Sequence, residues 1–112
     1  MATSKIKGGA QSFSCTMGEG ITGSGSGIVD YNTGIVTIIF RAGKDSNILL
    51  DDALCNVPAE YRPTASKTGA GIVVNAADSV SASMVRVLPN GDIQQRASNT
   101  CRRVFGVIQY IL

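Results

Sequence analysis

The sequence predicts an all-β fold, a small antiparallel β-sandwich or β-barrel, on three observations. The stretch 57–95 organises the chain: A-G-I-V-V-N-A-A and S-V-S-A-S-M-V-R-V-L are extended runs parted by an A-D-S break, and P-N-G-D returns the chain into a third run, I-Q-Q. That is the pattern of an antiparallel meander. A second turn signal, N-T-G at 32–34, parts two further apolar runs. Thirteen glycines, many Ser and Thr, only 16% charged residues and no long helix-period run favour tight turns over a helical bundle.

With 112 residues the chain forms one domain with one core. Residues 1–10 are polar and end in glycine, which predicts a loosely ordered leader ahead of a domain spanning 11–112. In 12–17, Phe13, Cys15 and Met17 alternate with Ser12, Ser14 and Thr16, the pattern of a half-buried strand. Residues 18–27 hold five glycines among Ser and Thr. Such a run predicts a flexible connector, and no Lys or helix pattern follows to make it a phosphate cradle. Residues 28–31 and 35–42 flank N-T-G as a hairpin, 43–46 reads as a turn, and 47–54 reads as a short strand or one helical turn. The segment opening V-P-A-E-Y-R-P-T is extended, because Pro63 disfavours the helical region for Arg62. Residues 104–112 form a last strand.

The runs 35–40, 70–77 and 104–112 show little outward polarity. A sandwich strand buries one face and wets the other, so something must cover the second faces. No long amphipathic helix is available in the sequence, and another copy of the chain is the economical cover.

Composition narrows the chemistry. The absence of His removes Ser-His-Asp and Cys-His machinery and the commonest metal ligand. Carboxylates are scattered, without the spacing of a calcium loop. The neighbours Asp51 and Asp52 would point to opposite faces of a strand and could not converge on one glycosidic bond. The residues therefore predict no enzyme, no metal and no cofactor. A net charge of +2 without a clustered basic face gives no footprint for nucleic acid, and Arg102-Arg103 reads as a solvated strand start. No window reaches the roughly 18–20 apolar residues that span a bilayer, so membrane insertion is not expected. Cys15, Cys55 and Cys101 are odd in number and lack a C-x-x-C pair, which predicts free buried thiols. Among the tyrosines, Tyr61 is expected to anchor its loop to the sheet, Tyr110 to lie in core or interface, and Tyr31 to stand exposed at a hairpin tip.

The fragments P-A-E-Y-R-P-T and V-R-V-L-P-N-G-D-I, followed by a terminal strand ending Y-I-L, resemble the C-terminal head domains of phage receptor-binding proteins and tail fibres. The resemblance covers roughly residues 27–112. It implies a jelly-roll-like head domain that forms a homotrimer and recognises a host cell-wall or surface saccharide, carried on a virion at the tail tip or fibre and made in the host cytoplasm. That reducing compartment argues against a Cys15 to Cys101 bridge. Residues 1–10 then become a fibre-proximal segment. Polar loop residues that pair with sugar hydroxyls supply the expected ligand site: Tyr31 and Asn32 at one turn, Asp51 and Asp52 at another, and Asn99 with Arg102 before the last strand. Without Trp, stacking is limited and each site is expected to bind weakly. Two other readings remain: a structural fibre-tip, capsid-decoration or trimerisation module without ligand, and a small glycan hydrolase appended to a fibre.

Overall fold

The computed structural model describes residues 9–112, so residues 1–8 of the expected leader lie outside it. Nine strands follow in order: β1 (Ala10–Ser14), β2 (Thr16–Met17), β3 (Thr22–Asp30), β4 (Ile35–Ile48), β5 (Cys55–Asn56), β6 (Lys67–Asn75), β7 (Val80–Val87), β8 (Asp92–Gln95) and β9 (Cys101–Ile111). They form one antiparallel sheet in the order β1-β3-β4-β9-β6-β7-β8-β5-β2. Strands β1 and β2 are parted only by Cys15, yet β1 pairs with β3 at one edge and β2 with β5 at the other. Residues 10–17 therefore join the two edges, and the sheet nearly closes into a barrel.

The meander of 57–95 is present as β6, β7 and β8, with the Asn75–Asp78 turn and the Leu88–Gly91 turn between them. Its first strand, β6, is the fifth of the nine in the sheet order, and β9 beside it pairs with β4 on one side and β6 on the other. The hairpin around N-T-G is also present, with Gly34 at φ 77°, where a side chain would be strained.

Three expectations are corrected. Residues 18–27 are not a flexible connector, because Thr22 to Gly27 opens β3. There Ser24 and Ser26 face outward while Gly25 and Gly27 face the interior. A side chain on Gly27 would run into the Phe13 ring, and one on Gly25 would meet Cys15, Cys55 and Phe40. The glycines thus let β1 and the thiols pack on bare backbone. The expected strand 12–17 begins earlier, at Ala10, and breaks at Cys15 to change partners. Residues 43–46 are not a turn but lie inside the 14-residue β4, with a bulge between Gly43 and Ile48 against β9. The open stretch 47–54 holds the end of β4 and a turn.

The long strands do alternate. On β4, Val36, Ile38, Phe40 and Ala42 are buried; on β9, Val104, Gly106, Ile108 and Tyr110 are buried. Interior glycines make room for large neighbours: a side chain on Gly106 would strike the Phe40 ring and Val85. The three thiols are free and buried, and the hydrogen bond with Cys15, together with burial, pushes the Cys55 thiol up.

One end of the barrel is closed by the V-P-A-E-Y-R-P-T segment. A single 3-10 turn, Ala59–Tyr61, drops Tyr61 into the interior, where it stacks on Phe13 with ring centroids 4.4 Å apart. The Tyr110 hydroxyl donates to the Tyr61 carbonyl, and burial pushes that phenol up to about 12. Arg62 donates to the Val57 carbonyl and to Asn56 Oδ1, and Asn56 in turn donates to Asp92. The two fragments that carry the family resemblance are thus fastened to each other by the Arg62, Asn56 and Asp92 side chains.

Candidate functional site

The expected ligand residues divide between opposite ends of the barrel, whose longest dimension is 48 Å. Tyr31 and Asn32 sit in the β3–β4 turn. The first and last described residues are there too: Tyr31 N–H donates to the Gly9 carbonyl and Leu112 N–H to the Gly34 carbonyl. Tyr31 does not stand exposed. It is half-buried against the core, and its hydroxyl is buried without a hydrogen-bond partner among the described residues. Asn32 is exposed, with its N–H given to Asp30.

Asp51, Asp52, Asn99 and Arg102 come together at the other end, where the 49–54 and 96–100 segments meet. Buried Gln95 fixes the second segment: its Oε1 accepts from Ala97 and Ser98 N–H, and its Nε2 donates to the Ile48 and Ser98 carbonyls. Asn99 Oδ1 accepts from Leu50 N–H at 2.8 Å. Asp52 Oδ2 accepts from Leu49 N–H at 2.9 Å and from Lys44 Nζ at 3.1 Å. Arg102 donates to Asn47 Oδ1 at 2.9 Å and to the Asp45 carbonyl at 3.0 Å. Three of the four side chains are engaged in holding the loops. Asp51 is exposed, and its side chain makes no hydrogen bond among the described residues.

The Leu49 N–H, helped by Lys44, holds the Asp52 carboxyl below its ordinary range. A depressed carboxylate contributes stability that is present above the unfolded pKa, near 4, and lost as pH falls through the folded value. Asp52→Asn should therefore flatten the acid limb of a melting-temperature profile taken between pH 7 and pH 3. The Lys44–Asp52 pair still meets solvent, with side chains 25% and 28% exposed, so the difference at neutral pH should be about 1 kcal/mol or less.

A second feature lies on the outer wall, on the runs 35–40, 70–77 and 104–112 whose second faces show little polarity in the sequence. The ladder register aligns Ser26, Ile39, Val107, Ala70 and Met84 in one row across β3, β4, β9, β6 and β7. The next row is Ser24, Arg41, Phe105, Ile72 and Ala82. Ile39 is 58% exposed, Val107 47% and Ile72 47%. Between them runs an apolar trench of about 390 Å³, floored by the paired glycines Gly71 and Gly106. No protein-family model and no curated protein matches the chain. The assignment of these features therefore rests on their geometry. Thr37 and Gln109, hydrogen-bonded at 2.9 Å, bound the apolar patch on one side and the serines of β3 on another. It is a one-sided patch, not a belt. Among the described residues no three His, Cys, Asp or Glu side chains stand together as a metal site, and no helix is long and apolar enough to cross a membrane.

Proposed function

We propose that the chain is a non-enzymatic, self-assembling head module of the phage receptor-binding or tail-fibre kind, forming a homotrimer that contacts a host surface saccharide. The observation that carries the reading is the apolar patch on β4, β9 and β6. Large contiguous exposed apolar patches on soluble domains mark contact surfaces, and the polar borders of this one fit a partner of limited footprint. Further copies of the chain present the same patch, and copies that turn it towards one common axis close the assembly without any further component. The number three and the saccharide come from the resemblance of the P-A-E-Y-R-P-T and P-N-G-D-I segments.

The saccharide contact is assigned to the end bearing Asp51, Asp52, Asn99 and Arg102, opposite the end where the chain enters and leaves the barrel. Tyr31 and Asn32 drop out of that site. A structural module without ligand is the second reading. It is favoured by the engagement of Asp52, Asn99 and Arg102 in hydrogen bonds within the chain. Light scattering after size exclusion is expected to give about three times the 11.6 kDa chain mass. A monomer mass at micromolar concentration would remove the assembly. A trimer that fails to attach to host cells would leave the structural module.

A further inference from the structure

Beside the apolar patch, towards the loop-rich end, the outer wall has a second hollow of about 210 Å³. Its floor is Gly43, which the register places between Thr22 on β3 and Arg103 on β9. Arg41 and Phe105, directly opposite each other in the next row, form the far wall. Two arginines thus stand diagonally across adjacent strands, a separation of about 7–8 Å at the backbone. An ordinary side chain at position 43 would fill the space between them.

We propose that this hollow binds the acidic group, phosphate monoester or carboxylate, of an acidic saccharide whose ring lies against Phe105. The lining supplies donors and almost no side-chain acceptors. It contains no Asp, Glu, Asn or Gln, whereas a neutral sugar needs acceptors for its hydroxyl protons as well as donors. Arg41 has no hydrogen bond or ion pair among the described residues, so its guanidinium N–H groups remain available for a bidentate contact. Among the described residues Arg103 is paired only with Asp78, at 2.8 Å on the β6–β7 turn, and the Asp78 side chain is 81% exposed. A solvated pair of that kind contributes about 0–1 kcal/mol, so Arg103 can turn to a ligand at small cost. An anion between the two guanidinium groups also relieves their mutual repulsion. Phe105, 36% exposed, stands where the hollow meets the apolar trench and offers an apolar face beside the charge, so the ligand is placed at the margin of the contact surface between copies and not beneath it. Thr22, whose hydroxyl donates to the Gly43 carbonyl at 3.3 Å, stands on the rim.

The ring of the ligand rests on the saccharide reading above; the acidic group rests on the arginine pair alone. The test is a titration of the labelled protein, followed by amide chemical shifts, with glucose 6-phosphate, glucuronate, glucose and inorganic phosphate. Both acidic sugars should produce saturable shifts at Thr22, Gly23, Gly43 and Phe105, and glucose none at the same concentration. Arg41→Gln breaks no hydrogen bond or ion pair among the described residues, so it should keep the fold while weakening both acidic sugars about tenfold. Gly43→Ala should also fold, since the added methyl meets nothing nearer than 3.4 Å, and should weaken both by narrowing the hollow. Shifts that are absent, or that survive Arg41→Gln unchanged, overturn the site. Inorganic phosphate binding as tightly as glucose 6-phosphate overturns the saccharide. Binding of acidic sugars by a protein that does not attach to host cells upholds the site and removes only the attachment role.

Discussion

Replacing Ile108 by Asp is expected to unfold the chain. Ile108 is fully buried on the inner face of β9, opposite Ile38, and among the described residues no charged side chain is buried in the core. A carboxylate there would have no cation to pair with and no water to face. Burying it, or burying its protonated form without partners, costs about 4–5 kcal/mol or more. A domain of this size has only about 5–15 kcal/mol in total. Circular dichroism with urea titration should show loss of the cooperative transition or a midpoint shifted to very low denaturant. A midpoint near that of the parent would contradict the position of Ile108. By contrast Ile111, on the same strand but 71% exposed, should accept Asp with little change.

The neighbouring substitution Val107→Asp should leave the fold intact and dissolve the assembly. Val107 lies on the outer face between Ile39 and Ala70, in the middle of the apolar patch. In an isolated barrel its carboxylate would be solvated, and stability should change by no more than about 0.5 kcal/mol. In a trimer buried on this patch, three such charges would be desolvated together, and loss of a central contact of this kind raises a dissociation constant about 100-fold or more. Sedimentation or light scattering should then report the monomer while the melting profile of the barrel persists. A variant that keeps the full mass would show that the patch is not the interface. The pair Val107 and Ile108 separates core from contact surface within one dipeptide.

Much of this arrangement was legible in the sequence where turns and alternation were short-range. N-T-G and P-N-G-D marked hairpins because glycine and asparagine supply the backbone angles that those turns need. Tyr61 and Tyr110 read correctly as packing residues. Composition misled at 18–27, where five glycines suggested disorder. The informative signal was the period-2 alternation of Gly with Ser and Thr running into Ile28 and Val29, which is a strand with its inner face left bare for Phe13. At 43–46 the polar run K-D-S looked like a turn because a long strand beyond the covered wall can carry solvated side chains on both faces. The ligand residues were chosen for loop polarity, and polarity alone does not tell a solvated side chain from one already spent on its own loop, as in Asp52, Asn99 and Arg102. The two arginines of the outer hollow are 62 positions apart, and only the β4–β9 register brings them together.

Residues 10–17 decide more than the shape of the barrel. Their pairing with β3 on one side and β5 on the other leaves the sheet almost no free edge. If this strap detached, the five residues of β3 that it pairs, Ser26 to Asp30, would present unpaired N–H and C=O groups. The side chains of β3 run from alternating Gly and Ser to Ile28 and Val29, with no proline and with Asp30 at its end as the one charge to guard the edge. An edge so sparsely charged is a template for strand addition from a neighbouring chain. The hold at the far side is only two residue pairs, Thr16 with Asn56 and Met17 with Cys55. That short seam, more than the strength of the core, sets how readily the folded chain is recruited into cross-β association.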